Sequence, residues 1–130
     1  MYNELLLEVF NIRIKIKGYI ENKTEKSKEK IDTYAIKNKD KLSYKHNDTT
    51  YKINILDKKL ILIRDNEKFT HKFIFDIDKI TKSEYYIKEL NTSIDILIKT
   101  TNLIYNDKEL KIDYEIIDSN NEYSYILDME

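Results

Sequence analysis

Apolar and polar residues alternate along most of this chain, with a period of two. Ile12, Ile14 and Ile16 interleave with Arg13, Lys15 and Lys17, a spacing that gives a strand one dry face and one charged face. The same alternation returns at Tyr51, Ile53 and Ile55, at Phe69, His71, Phe73 and Phe75, at Ile94, Ile96 and Ile98, at Leu110, Ile112, Tyr114 and Ile116, and at Tyr123, Tyr125 and Leu127. Shorter strands are expected over residues 31–36, 42–46, 60–64 and 81–90. The charged stretch 21–30 reads as a flexible loop. Residues 3–10 carry the one helical pattern, with Leu5, Leu6 and Val9 on a common face.

Between these segments lie Asp57-Lys58, Asp65-Asn66, Asn91-Thr92, Asn106-Asp107 and Ser119-Asn120-Asn121, residues that suit tight turns. Eight to ten strands joined by short turns form an antiparallel meander. A meander of that length leaves two exposed edges unless it closes, so the expected fold is all-β, a single up-and-down barrel spanning 1–130. No proline interrupts the strands, and the lone glycine, Gly18, falls inside the first one, where a bulge or sharp bend is expected.

Composition narrows the chemistry. Lys+Arg of 23 against Asp+Glu of 24 leaves a net charge of −1, without the basic excess by which nucleic-acid and anionic-membrane binders displace counterions. The absence of cysteine excludes disulfides, thiolate metal sites and a cysteine nucleophile. No run approaches the length of a membrane-spanning helix, and the first residues lack the basic start of a signal peptide, so a cytoplasmic protein is expected. No serine sits in a nucleophile elbow, no glycine-rich phosphate loop exists, and His46 and His71 lack metal-ligand spacing. No cofactor and no catalysis are expected.

Lysines number 21 and arginines two, which makes Arg64 conspicuous. It shares parity with Leu60 and Leu62, so an inward face there carries its guanidinium toward the interior, where it needs a carboxylate, carbonyls or an anionic ligand; a solvated strand end is the other reading. Tyr44 and His46 share a face. The tyrosines Tyr51, Tyr86, Tyr114, Tyr123 and Tyr125 fit either an amphipathic pocket or cross-strand packing. The candidate ligand-binding set is Arg64, Tyr44, His46, Tyr86, Tyr114 and His71.

Several short segments resemble the YwiB-like family of small bacterial proteins of unknown function. They are Leu60-Ile61-Leu62-Ile63-Arg64-Asp65-Asn66, the tyrosine strand at Tyr86 with the turn at Asn91, the Ile94 to Thr100 strand followed by Leu103, and Ile112-Asp113-Tyr114-Glu115-Ile116, with Leu42-Ser43-Tyr44 upstream. The resemblance implies a calycin-like, lipocalin-type barrel. This chain has Asn66 and Asn91 where the family tends to carry glycine, and His46 where it often has glutamate. The resulting expectation is a non-catalytic barrel holding a small, partly apolar or anionic molecule. The alternative is a filled-core scaffold that binds a protein partner through its surface.

Overall fold

A computed structural model of the chain describes residues 11–130, so the helical pattern over 3–10 lies outside the described residues. Ten strands follow one another: β1 (Ile12–Asn22), β2 (Ser27–Asn38), β3 (Lys41–His46), β4 (Thr49–Leu56), β5 (Lys59–Asp65), β6 (Phe69–Asp76), β7 (Ile80–Ile87), β8 (Thr92–Tyr105), β9 (Glu109–Ile116) and β10 (Asn121–Met129). Each pairs antiparallel with its sequence neighbours, and β1 pairs with β10 from Ile16↔Met129 to Asn22↔Tyr123, which closes the barrel. Closure gives every strand two hydrogen-bonded partners and leaves no edge to template aggregation.

The alternation read from the sequence sorts the side chains. Ile16, Ile31, Leu42, Ile53, Leu60, Phe75, Leu110, Ile112 and Leu127 are fully buried in one continuous core. The charged partners on the opposite parity form the outer face. There Lys15 pairs with Asp32 at 2.7 Å, and the Arg13 guanidinium lies 4.0 Å from the centroid of the Tyr34 ring.

Two local expectations are corrected. The charged stretch 21–30 is not a loop: β1 and β2 pair through it to Asn22↔Ser27, leaving only residues 23–26 as the turn. Closure of a long hairpin overrides the poor strand propensity of those residues.

Gly18 is not at a bulge. It keeps register with both Ile31 and Leu127, and a β-carbon built there would lie 1.8 Å from the Ile126 carbonyl oxygen. Glycine is required because two backbones approach too closely for any side chain. The bulge instead falls in β8, where the register to β9 jumps between Thr100 and Asn102. Inward positions run Ile96, Ile98, Thr100 before it and Leu103, Tyr105 after it, because one extra residue exchanges the two faces.

The turn asparagines work in two ways. Asn91 and Asn120 take positive φ, as do Asn47 and Asp48 between β3 and β4, where the His46↔Thr49 pair makes a two-residue hairpin loop. Asn66 and Asn106 act through their side chains. Asn66 Oδ1 accepts from the Lys68 and Phe69 amides at 2.8 and 3.0 Å, and Asn106 Oδ1 accepts from the Lys108 and Glu109 amides at 2.9 and 3.0 Å. These are two copies of one Asx turn.

The contact at Gly18 gives a direct test. Gly18→Ala is expected to lower stability by on the order of 1–3 kcal/mol through overpacking at the β1–β10 seam, read as a lower urea midpoint at unchanged m-value.

Candidate functional site

One end of the barrel carries the turns at 23–26, 47–48, 66–68, 88–91 and 117–120. Beneath them the interior holds a cavity of about 550 Å³ lined by Leu62, Arg64, His71, Phe73, Tyr85, Ile96, Tyr114, Tyr123 and Tyr125, with Glu25 and Glu29 also on its wall. The volume is that of a small-molecule site, and the lining is mainly apolar and aromatic with a few convergent polar groups.

Arg64 is placed inside by parity with Leu60 and Leu62, both buried. Its guanidinium lies 5.3 Å from the Phe69 ring and 5.5 Å from the Phe73 ring. Its Nη2 reaches His71 Nδ1 at 3.2 Å, while its Nε is buried and has no acceptor among the described residues. Among the described residues no carboxylate pairs with it. The cation thus stands on the cavity wall with aromatic faces and a neutral imidazole as neighbours, an arrangement that favours a bound anion.

The neutrality of His71 follows from its hydrogen bonds. Ser83 donates its hydroxyl proton to the Lys72 carbonyl at 2.8 Å, so the 2.7 Å contact between His71 Nε2 and Ser83 Oγ has the imidazole as donor. Nδ1 then carries the lone pair and accepts from Arg64. Burial, aided by the Arg64 charge, lowers the His71 pKa from 6.5 to about 3. Phe73 packs on the ring with centroids 3.7 Å apart, and the Tyr85 ring meets it edge-on at 5.1 Å.

Four phenols feel the charge of the guanidinium. Burial raises the pKa of Tyr44, Tyr51, Tyr114 and Tyr125, and the Arg64 charge opposes the rise in every case. All four remain protonated hydroxyls at neutral pH. The Tyr44 and Tyr125 hydroxyls bond each other, and Tyr44 stacks on Tyr51 with centroids 4.7 Å apart. Tyr114 stacks on Tyr123 at 5.1 Å, and its own hydroxyl makes no hydrogen bond to another described residue although Tyr114 is only 8% exposed. Asn22 braces the mouth: Nδ2 donates to the Tyr123 hydroxyl at 3.2 Å, and Oδ1 accepts from the Thr24 and Glu25 amides at 3.1 and 3.0 Å.

Of the candidates chosen from sequence, Arg64, His71 and Tyr114 come together on the cavity wall. Tyr44 lies one layer behind, bonded to the lining residue Tyr125. His46 sits at the rim, where Nε2 meets Glu29 Oε1 at 3.1 Å. Tyr86 is misplaced: it faces outward, its hydroxyl donating to Asn91 at 2.5 Å, and Tyr85 is the cavity residue of that strand. The parity of buried Ser83 sets this, a small polar residue that offers no hydrophobic signal. Glu29 and Asn22 were missed because both lie in the charged stretch or at its border.

The backbone matches the crystal structure of the ywiB protein from Bacillus subtilis at a TM-score of 0.66, covering 91% of this chain and 89% of that one at 12% sequence identity. This chain has the ywiB fold. No family model matches the sequence, and no curated protein matches it. The YwiB-like resemblance carried by the short motifs and the match of the backbones meet on one protein, and at this identity the likeness bears on fold alone.

Neutral His71 makes the stability of the barrel depend on pH. Because the folded pKa of His71 lies below its unfolded value, the unfolded chain binds the extra proton between pH 6.5 and about 3. The stability contributed by neutral His71 is complete above that window and is lost as pH falls through it, with a slope of at most about 1.4 kcal/mol per pH unit. Urea midpoints of the natural chain are expected to fall more steeply over this range than those of His71→Gln, which keeps a donor and an acceptor but does not titrate.

Proposed function

We propose that this protein is a non-catalytic, calycin-like container of the cytoplasm that binds one small amphipathic carboxylate inside the barrel. The observation that carries the reading is Arg64, a cation on the wall of an aromatic cavity with no carboxylate partner among the described residues and a buried Nε without an acceptor. A carboxylate matches the planar guanidinium fork and accepts two parallel bonds from it. The free Tyr114 hydroxyl supplies a further donor, and Phe73, Ile96 and Leu62 receive an apolar body. A scaffold with a completely filled core offers no such space.

The absence of chemistry from this reading rests on the same hydrogen bonds. In a nucleophilic Ser–His pair the imidazole accepts the serine proton. Here Ser83 gives its proton to the Lys72 carbonyl and receives one from His71, so the imidazole lone pair faces Arg64. The pair orients the guanidinium and offers no free lone pair with which to take a proton from a substrate.

Arg64→Met keeps the length and apolar stem while deleting the charge. It is expected to weaken binding of aryl and alkyl carboxylates by roughly ten- to hundred-fold, the scale of a lost charge-assisted hydrogen-bond pair, with folding stability unchanged or raised by roughly 1 kcal/mol. Titration calorimetry against a panel of such carboxylates and their matching primary alcohols, with urea unfolding of both proteins, reads both effects. Equal affinity for acids and alcohols in the natural chain, or carboxylate binding unaffected by Arg64→Met, would sink the reading.

A further inference from the structure

The cavity has a second pole. Glu25 and Glu29 stand on its wall at the mouth, on the β1–β2 side, while Arg64 stands on β5. Both contacts of Glu29, from His46 Nε2 at 3.1 Å and Asn47 Nδ2 at 3.3 Å, fall on Oε1. They fix the carboxylate and leave Oε2 without a hydrogen bond to a described residue. Glu25 makes no ion pair with a described residue, and its backbone is held by Asn22. Lys28 also lines this wall, but its ammonium is turned to the Tyr19 ring, 4.0 Å from the centroid, and pairs with neither glutamate, so two carboxylates stand against one cation there. Burial chiefly raises the Tyr51 pKa, and of the two charges near it Arg64 opposes the rise and Glu29 adds to it. Aromatic faces, Tyr85 and the stacked Tyr114–Tyr123 pair, line the same cavity, and such faces also attract cations.

We infer that the ligand is zwitterionic, with its carboxylate on Arg64 in the interior and a cationic group, an ammonium or guanidinium, at the mouth on Glu29 and Glu25. This inference rests on the carboxylate reading above and deepens it. A plain carboxylate satisfies Arg64 and leaves the acidic mouth against an apolar tail. A ligand with both charges satisfies both ends, and its orientation is then unique: the reversed molecule would set carboxylate against carboxylate and ammonium against guanidinium.

The test compares a homologous series of straight-chain ω-amino carboxylates with alkanoates of equal length, by titration calorimetry on the natural chain, on Glu25→Gln/Glu29→Gln and on Arg64→Met. The glutamates are at the exposed rim, so the double variant keeps the barrel, which its urea midpoint verifies. At its best length the amino acid is expected to bind roughly five- to ten-fold more tightly than the alkanoate, the scale of a partly exposed ion pair with aromatic support. The double variant is expected to erase that preference while retaining alkanoate affinity. If alkanoates bind in an Arg64-dependent way and the amino acids bind no better at any length, or the preference survives loss of both glutamates, the zwitterion inference is wrong and the carboxylate site stands. If neither series depends on Arg64, the carboxylate reading fails with it.

Discussion

The antiparallel ladder between β1 and β10 is the constraint on which the other features depend. It joins the first described strand to the last and turns a ten-strand meander into a tube, so that parity along each strand becomes a distinction between interior and exterior. At its centre Gly18 admits the Ile126 carbonyl to a place that no β-carbon could share. Without closure Arg64 would sit on one face of an open sheet in water. With it, the guanidinium enters a confined aromatic space where its charge acts on four phenols.

That placement is costly for folding and, in the function proposed above, useful for binding. A cation removed from water without a counter-charge destabilises the barrel, and the surroundings limit the loss without cancelling it. His71 offers a neutral lone pair, kept available because Ser83 and the Lys72 carbonyl consume the other proton sites. Phe69 and Phe73 present ring faces. None of these groups supplies negative charge, which a carboxylate ligand would bring.

The seam between β6 and β7 supports the same centre. Backbone pairing there extends only from Phe69↔Ile87 to Lys72↔Glu84. Beyond it the Thr81 hydroxyl donates to the Ile74 carbonyl and the Ser83 hydroxyl to the Lys72 carbonyl. Side-chain hydroxyls thus take over acceptors that the ladder leaves open. Ser83 holds both the seam and the tautomer of His71, which ties the imidazole's orientation to the packing of two strands.

Alternation was enough to establish from the sequence an all-β chain, its strands in order, the inward rows at Phe69 to Phe75 and Leu110 to Ile116, and Arg64 as the residue out of character with its row. These are local properties, because a period of two and a charge at an apolar position are visible without knowing any partner strand. Tertiary structure decided what depends on contacts between strands. It extended β1 and β2 through a charged stretch that propensity assigned to a loop, put the bulge at Thr100–Asn102, and turned Tyr85 inward and Tyr86 outward. It also brought Glu29, His46 and Asn22 to the mouth that Arg64 faces from within. Each of these is fixed by which backbones pair across the closed ladder, information held in no single segment of the chain.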